Sequence, residues 1–586
     1  MEKSDTRNLY KELFIILVSA ISILPFMTRS FTSIKFQSDN LLPALDTYYY
    51  QRIFNLNNDL FSLGNIYVDS INFSHRQINF FSFGEAAEKV LFHSLGNNIA
   101  LTYFTFSLCF VFGWIFLITR LLKNDKTISF YNNVVITCLM LVLFLGNSNI
   151  LNRNYPFARI ISPQISLFLW LIGLILIFKI VASKGINTIK YLNMTQFGAL
   201  LFVSSFTYLY TFMSLIGTSI ILTLILVVQK RYKSLICFII IVVISVSPFI
   251  TISFIKSKEE RFQDAAERMG LINSHFPGSI VTLLICAAIV FIILASKRFK
   301  MKINDLTNLE LSLFTSSIGL ILASQSNVIT GSEVQFYHFN IFAEINLLLL
   351  LALIFSRIKY CDFLKSFHSL KVSFIVLITS FLVLNSFSKI LFPLVFINRT
   401  DLSMQTFSNK YKEQDRLIVD VANLQDNFPV YSKAKILYQI DITAYGYTNE
   451  EVLDRAYISY GCPQVISEEI KSELKVYRVD AANLKSKSLE KYIKLIHMDN
   501  IFANAFESTS NYALDKRDKF EFEIESYLGS VSGESCISMA KRYKLDRIIF
   551  DKESNWYNIT KLNRLPVTSF SFKGLNLYEY VMEKNL

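Results

Sequence analysis

Long apolar blocks alternate with short basic connectors over about the first two thirds of the chain. A helix that crosses a bilayer needs roughly 20 apolar residues, so this pattern predicts a polytopic α-helical membrane protein with about eleven transmembrane helices. Several blocks are shorter than that length, which indicates tilted or broken helices. The blocks cover residues 13–27, 99–118, 134–145, 165–182, 197–206, 212–228, 235–254, 280–295, 309–323, 341–355 and 372–396.

The segment 197–228 decides the topology of everything after it. At about 32 residues it is too long for one span and short for two, and the polar-aromatic break TYLYT lies near its middle. If it forms two helices, every basic connector falls on the side of the N-terminus. Cytoplasmic loops carry such an excess, so we predict two helices, a cytoplasmic N-terminus and a C-terminal region outside. The connectors are residues 120–126, 184–190, 230–233, 297–302 and 357–371.

The composition changes to that of a soluble domain from about residue 398 onward. There SCISMAKRYK predicts an amphipathic helix, and DRIIFD and GLNLYEYVM predict strands. We therefore divide the chain into two domains. Residues 1–397 form a transmembrane domain with a large first outer loop at 28–98, and residues 398–586 form an extracytoplasmic α/β domain.

Composition and charge agree with a membrane protein. Of 586 residues, 52% are hydrophobic and 18% are charged, which is less charge than a soluble protein carries. The net charge of +12 comes largely from the connectors, so it indicates a bias of the cytoplasmic loops rather than nucleic-acid binding. The 7 cysteines form no CxxC pair, and the sequence leaves open whether Cys462 and Cys536 pair in an outer region.

The stretch LDTYYYQRIF follows the first apolar block and places Asp46 beside three tyrosines. At an outer membrane surface, this group is either an aromatic belt with a solvated acid or a catalytic site. In the catalytic interpretation, Asp46 is a general base that deprotonates an acceptor hydroxyl while the hydroxyl attacks a sugar linked to a lipid phosphate. Asp39 is a second candidate for this role.

Arg153 and Arg159 lie in the short outer loop NRNYPFARIISPQ with no acidic residue nearby. A guanidinium binds a phosphate or pyrophosphate in a bidentate manner, so both are candidates for holding a donor phosphate. The alternative is contact with ordinary lipid headgroups or with a carboxylate of another loop.

Two further outer loops carry polar residues. RFQDAAERMG has helical periodicity, and its charged residues, Arg268 among them, form either a solvated helix face or part of a binding surface. NVITGSEVQFYHF places Glu333 and His338 near the membrane. His338 either orients a substrate, carries a proton, or is an interface histidine held by hydrogen bonds.

Ionisable residues are few inside the predicted spans, where Glu310 and Glu344 each lie near the start of one. This scarcity disfavours a proton-coupled or ion-coupled transporter, which needs carboxylates within the membrane. The sequence has no P-loop, GxSxG, HExxH or Rossmann fingerprint. Its polar chemistry is concentrated on the outer face.

Many spans, an aspartate in a long first outer loop, and an outer C-terminal domain together resemble the GT-C superfamily of polyprenyl-phosphate-dependent glycosyltransferases. LDTYYYQR is similar to the Asp-x-aromatic-aromatic-x-x-Arg segment of the oligosaccharyltransferase catalytic subunit, and the matching residues are Asp46, Tyr48, Tyr49 and Arg52. LDTYYY, GNIYVD, FARIISPQ, TYLYTF, ERMGLINSHFP and NVITGSEVQFYHF together are more similar to bacterial membrane proteins of GT-C type. The Trp-Trp-Asp signature of the oligosaccharyltransferase outer domain and an Asp-x-Asp in the outer loops are both absent.

This resemblance, over about residues 1–400, implies an inverting hexosyl- or pentosyltransferase in a bacterial cytoplasmic (inner) membrane. It would move a sugar from a polyprenyl phosphate to a glycan, lipid or protein on the outer side, with Asp46, or Asp39 in its place, as the base. Arg153 and Arg159 would hold the donor phosphate. Whether a divalent cation takes part is left open. Further candidates for substrate binding are Tyr48, Tyr49, Arg52, His75, Arg76, Gln164, Arg268, Glu333 and His338.

Two other functions are considered beside the transferase. A flippase or transporter of a lipid-linked or polysaccharide intermediate would use the same arginines without bond chemistry, and it needs a polar path through the spans. A catalytically inactive membrane scaffold would bind a partner through its outer domain. The concentration of polar residues on one face favours the transferase over the flippase.

Overall fold

A computed structural model of the chain describes helices in its apolar part and a mixed sheet near its C-terminus. These residues form two compact units. The first holds the described residues up to 252 and those of 278–357, and the second holds 253–268 and the described residues from 406 on. The described residues are 83–96, 99–123, 165–182, 188–268, 278–296, 306–330, 336–357, 406–412, 414–421, 424, 428, 432–438, 447–462, 526–527, 529–531, 534–572 and 574–582.

Most helices of the first unit follow the apolar blocks that predict them, whereas the helices Phe83–Ser94 and Ser326–Thr330 lie in segments predicted as outer loops. Three predicted spans, at 13–27, 134–145 and 372–396, lie outside the described residues, so the total of about eleven stays a prediction. The helices are α1 (Phe83–Ser94), α2 (Ile99–Lys123), α3 (Ser166–Ala182), α4 (Thr188–Ser205), α5 (Leu209–Val228), α6 (Tyr232–Lys256), α8 (Ile280–Ser296), α9 (Asn308–Ser324), α10 (Ser326–Thr330) and α11 (Asn340–Arg357), the last preceded by a 3₁₀ helix, Phe336–Phe339; α7 (Glu260–Arg268) belongs to the second unit.

The prediction of two helices within 197–228 is confirmed, since α4 ends at Ser205 and α5 begins at Leu209. Hydroxyl groups contribute to the end of α4. The Ser205 hydroxyl donates to the carbonyl of Phe202 at 2.7 Å, and the Thr207 hydroxyl donates to that of Val203 at 2.7 Å. Side-chain donors of this kind compete with the backbone for the last carbonyls and favour a break in the helix.

Helices α5 and α9 cross backbone to backbone at two glycines. A methyl group on Gly217 would lie 2.2 Å from the carbonyl oxygen of Gly319, and one on Gly319 would lie 2.4 Å from the backbone nitrogen of Thr218. Small residues at such a crossing let two apolar helices gain dispersion contacts over their whole length. This crossing therefore brings the two helix backbones into direct contact.

Helix α9 begins with a capping box that explains Glu310. The Glu310 carboxylate accepts from the backbone N–H of Thr307 at 2.8 Å, and the Thr307 hydroxyl accepts from that of Glu310 at 3.3 Å. Such reciprocal bonds satisfy two of the unpaired donors at a helix start. Glu310, which the sequence presents as an ionisable residue near a span, thus has a structural role.

Helix α6 presents an apolar surface outward. Within the described part of the chain, α5 and α6 are the two helices long and apolar enough to cross a membrane by length and composition. On α6 the side chains of Val243 and Ile244 are 59% and 65% exposed. A soluble protein rarely exposes so continuous an apolar stripe, whereas it is typical of a helix that faces lipid.

The second unit is built on a five-stranded mixed sheet of order β2-β1-β3-β5-β4. β1 runs parallel to β2 and β3, and β5 runs antiparallel to β3 and β4. The predicted helix in SCISMAKRYK and the predicted strands in DRIIFD and GLNLYEYVM are confirmed. The elements are β1 (Arg416–Asp420), β2 (Lys435–Ile436), α12 (Asn449–Ser459), α13 (Cys536–Arg542), β3 (Arg547–Phe550), α14 (Asn555–Leu562), β4 (Val567–Phe572) and β5 (Leu575–Val581).

Helix α7, from the loop RFQDAAERMG, contacts α12 of the same unit. The carboxylate of Asp264 accepts from the backbone N–H of Asn449 at 2.8 Å, at the first residue of α12. A negative group at a helix start is favourable because it meets the positive end of the helix dipole. Part of the predicted charged face of α7 is therefore used for packing.

A buried ion pair lies inside the second unit. Arg455 is fully buried, and its guanidinium donates to the Glu451 carboxylate at 2.6 Å and to the carbonyl of Leu437 at 3.2 Å. The rings of Tyr447 and Tyr543 lie 4.3 and 5.2 Å from its central carbon. The positive charge is thus met by a carboxylate, a carbonyl and two aromatic faces, as a charge removed from water requires.

A second buried polar contact lies beside this pair. The Tyr527 hydroxyl donates to the Asp454 carboxylate at 2.7 Å. Burial raises the pKa of Tyr527, and the negative charge of Asp454 raises it further. The phenol therefore stays protonated and keeps its role as donor.

Cys462 and Cys536 are joined by a disulfide, with their Cα atoms 5.6 Å apart. The chain reaches Cys462 through Gly461, which has φ +70° and lies against α14. A methyl group there would approach the backbone nitrogen of Trp556 to 2.9 Å, so glycine is required for both reasons. The pairing that the sequence leaves open is present in the structure.

Candidate functional site

His338 lies at one end of the helix bundle, in the 3₁₀ helix before α11, and is held between two tyrosines. Its Nδ1 atom is 2.7 Å from the hydroxyl of Tyr208. Its ring stacks on Tyr210 with centroids 4.4 Å apart and planes 30° apart. His338 is thus a histidine held by its neighbours, and a role in orienting a substrate or in carrying a proton stays a prediction.

The two tyrosines come from the break between α4 and α5. Tyr208 is the residue before the first turn of α5, with extended backbone angles of φ −154° and ψ 111°. Its ring lies 5.2 Å from that of Tyr210, and Tyr210 also contacts Phe339 at 5.4 Å. The sequence marks TYLYT as a helix break, but nothing in it points to these residues as partners of a histidine 130 positions away.

A hydrogen-bonded group next to this histidine ties together the starts of α8 and α11 and the end of α9. The side-chain oxygen of Asn340 accepts from the hydroxyls of Ser279 at 2.8 Å and Thr282 at 2.6 Å. The side-chain oxygen of Gln325 accepts from the backbone N–H of Gly278 at 2.9 Å. Because Asn340 follows the 3₁₀ helix directly, this group fixes the position of the histidine segment.

Deeper in the bundle, Asn346 joins three helices. Its carbonyl accepts from the indole N–H of Trp170 at 3.2 Å, and its amide donates to the hydroxyl of Ser316 at 2.9 Å. Asn346 is fully buried. Polar groups with satisfied partners at this depth stabilise helix contacts and form a closed network rather than an open polar path.

Of the predicted site residues, His338 has a described side chain. Arg268 ends α7 in the second unit, and nothing further of it is described. The roles assigned to the remaining residues stay predictions, since they lie outside the described ranges. They are Asp39, Asp46, Tyr48, Tyr49, Arg52, His75, Arg76, Arg153, Arg159, Gln164 and Glu333.

No metal centre is evident in the described ranges, where no three His, Cys, Asp or Glu side chains are grouped as ligands. The question of a divalent cation stays open, because the aspartates of the first outer loop are outside these ranges.

Comparison with known proteins gives a distant likeness. No family model matches the chain. No curated protein matches it either. One similar solved structure is that of the archaeal oligosaccharyltransferase AglB from Archaeoglobus fulgidus, in complex with an inhibitory peptide and a dolichol-phosphate. It is 12% identical to this chain with a TM-score of 0.38. The match covers 93% of this chain and 70% of that one. At this TM-score the likeness decides neither fold nor function.

Proposed function

We propose that this chain is a membrane glycosyltransferase that moves a sugar from a polyprenyl-phosphate donor to an extracytoplasmic glycan, lipid or protein, with inversion. Asp46 is the general base, and Arg153 and Arg159 bind the donor phosphate. The observation that carries the proposal is the aromatic and polar cluster of Tyr208, Tyr210 and His338 at one end of an apolar helix bundle.

This cluster has the chemistry of a site for a hydroxyl-rich ligand. Rings provide apolar faces, while the imidazole and phenol edges provide hydrogen-bonding groups, and such a mixture is typical of pockets for small polar molecules. The contact at Nδ1 of His338 and the stacking on Tyr210 hold the plane of the imidazole ring in one orientation. The imidazole is therefore oriented by Tyr208 before any substrate arrives.

The paired groups inside the bundle favour a transferase over a flippase. Asn346 is satisfied by Trp170 and Ser316, and Glu310 is used in a helix cap. A flippase needs polar groups along its path that can exchange partners with a moving headgroup. In the described helices, Tyr208, Tyr210 and His338 place polar groups together at one end of the bundle.

The disulfide between Cys462 and Cys536 supports an outer location for the C-terminal domain. Disulfides persist in oxidising compartments and are rare in the cytoplasm. Together with the charge bias of the connectors, this favours a cytoplasmic N-terminus and an inner membrane in which transfer takes place on the outer side.

The Asp46→Asn variant tests the proposal. Loss of a general base is expected to lower sugar transfer by at least about a hundredfold, because the acceptor hydroxyl is no longer deprotonated in the transition state. The assay follows radiolabelled sugar from an undecaprenyl-phosphate donor into the envelope fraction of membranes that contain wild-type or variant chain at equal amounts.

Two matched variants complete this assay. Asp39→Asn removes the same charge in the same loop and should leave transfer within a few-fold of wild type. His338→Phe keeps the ring stacked on Tyr210 but removes its polar edge, and it should weaken transfer by about tenfold, the equivalent of one hydrogen bond. Full activity in both aspartate variants would rule out an aspartate base at either position, and with it the proposed mechanism.

A further inference from the structure

Lys190 is buried at the start of α4, and Arg231 is half-buried at the turn between α5 and α6. Lys190, in the first turn of α4, is 2% exposed, and its ammonium donates to the hydroxyl of Ser234 at 2.7 Å. Arg231 lies three residues before that serine, between the two helices. The side chain of Lys233, by contrast, is exposed to solvent, as expected for a charged residue of a connector between helices.

Neither cation has an anionic partner in the parts of the chain that the structure describes. One guanidinium nitrogen of Arg231, Nη1, is buried without an acceptor, and the side-chain oxygen of Gln229, two residues earlier, is buried without a donor. The only partner of the Lys190 ammonium in these ranges is the neutral hydroxyl of Ser234. A buried charge without an opposite charge is costly, so such a group is normally paired.

The lowered pKa of Lys190 also indicates that its positive charge lacks a stabilising anion. Burial lowers the pKa of Lys190, and the positive charge of Arg231 lowers it further. Lys190 precedes the apolar block at 197–206, so it belongs to the connector rather than to the span. An anion between the two side chains would reverse both effects, because it replaces lost solvation and screens the repulsion.

We propose that Lys190, Arg231 and Ser234 form a binding site for a phosphate group. A planar guanidinium, an ammonium and a hydroxyl are donors suited to phosphate oxygens. Arg231 directly precedes the apolar surface of α6, which starts with the exposed Tyr232. A lipid headgroup at this end of the bundle can therefore supply the phosphate, and so can free phosphate.

Thermal unfolding of the full chain in a neutral detergent tests this site. The probes are dioleoyl phosphatidylglycerol, a phosphate-free glycosyl diacylglycerol, and inorganic phosphate against chloride at equal ionic strength. Phosphatidylglycerol should raise the Tm of wild type in a saturable manner, and the phosphate-free lipid should not. In Arg231→Gln and in Lys190→Met the apparent affinity should fall by at least about tenfold, the loss expected for one charged hydrogen bond.

Lys233→Gln is the matched control, because it removes one exposed charge two residues from Arg231 and should respond as wild type does. Protection by the phospholipid alone identifies a headgroup as the source, and equal protection by inorganic phosphate identifies free phosphate. Without any probe, Arg231→Gln should be at least as stable as wild type, since the repulsion with Lys190 is gone. The proposal would be overturned if no probe raised the Tm of wild type. It would also be overturned if every probe shifted the Tm equally in the three variants Arg231→Gln, Lys190→Met and Lys233→Gln.

Discussion

Arg455→Met should destabilise the C-terminal domain by about 3–5 kcal/mol, the usual result of removing one partner of a buried ion pair. Arg455 is fully buried, and methionine is close to it in volume, so the substitution mainly removes charge and hydrogen bonds. It leaves the Glu451 carboxylate buried without its partner at 2.6 Å. It also takes away the cation between the rings of Tyr447 and Tyr543.

Hydrogen exchange of the full chain measures this effect. In Arg455→Met, amides of α12 and β3 should exchange at least a hundredfold faster, because their protection depends on the stability of the whole unit. Arg542→Met is the matched control. Arg542 is 46% exposed, and its guanidinium pairs with Glu534 at 3.1 Å and with Asp454 at 3.7 Å. Because this guanidinium is solvated, such pairs contribute about 0–1 kcal/mol.

A double variant, Glu451→Gln with Arg455→Met, separates the cost of the unpaired carboxylate from the loss of the guanidinium contacts. If the unpaired carboxylate dominates, the double variant should recover much of the lost stability. Equal exchange in Arg455→Met and Arg542→Met would mean that the buried pair contributes no more than a surface pair does.

Gly319→Ala should disrupt the α5–α9 crossing and destabilise the helix bundle by about 3 kcal/mol, the upper end of ordinary overpacking. The added methyl group would lie 2.4 Å from the backbone nitrogen and 2.5 Å from the Cα atom of Thr218. Because these are backbone atoms, no change of rotamer relieves the contact, and the two helices must move apart. That movement also removes dispersion contacts along both helices.

The readout is the temperature at which the detergent-solubilised chain loses its monodisperse elution peak. Gly529→Ala is the control, since a methyl group there meets nothing within 4 Å. Gly529 lies in the second unit with helical backbone conformation. Because alanine favours a helix more than glycine does, the control should be neutral or slightly stabilising. A Gly319→Ala protein as stable as this control would show that the crossing tolerates separation.

Local sequence signals are sufficient for most of the individual elements described here. The apolar blocks predict the positions of α3, α5, α6 and α8 within a few residues, and the break TYLYT predicts the end of α4. The short strand RIIF is recognisable from its continuous β-branched and aromatic residues. The Thr307 and Glu310 capping box is also visible as T-x-x-E, a local pattern that would have assigned Glu310 to a helix start.

Contacts between distant segments are not encoded locally. Nothing near RFQDAAERMG indicates that Asp264 bonds to the start of α12, 185 residues later. Similarly, the partnership of His338 with Tyr208 and Tyr210 depends on which helices pack together, and that is decided by the whole bundle. The burial of Lys190 also has no local signal, because a connector rich in Lys and Arg has the same composition whether its charges are solvated or buried.

The disulfide between Cys462 and Cys536 closes a covalent ring over a sequence separation of 74 residues. A protease that cuts the backbone once inside this ring leaves the two fragments attached to each other. On a denaturing gel the cleaved protein should therefore run as one band without reductant and as two bands after reduction. Digestion of intact cells, spheroplasts and lysed cells would then report in one experiment on the bond and on the side of the membrane where it lies.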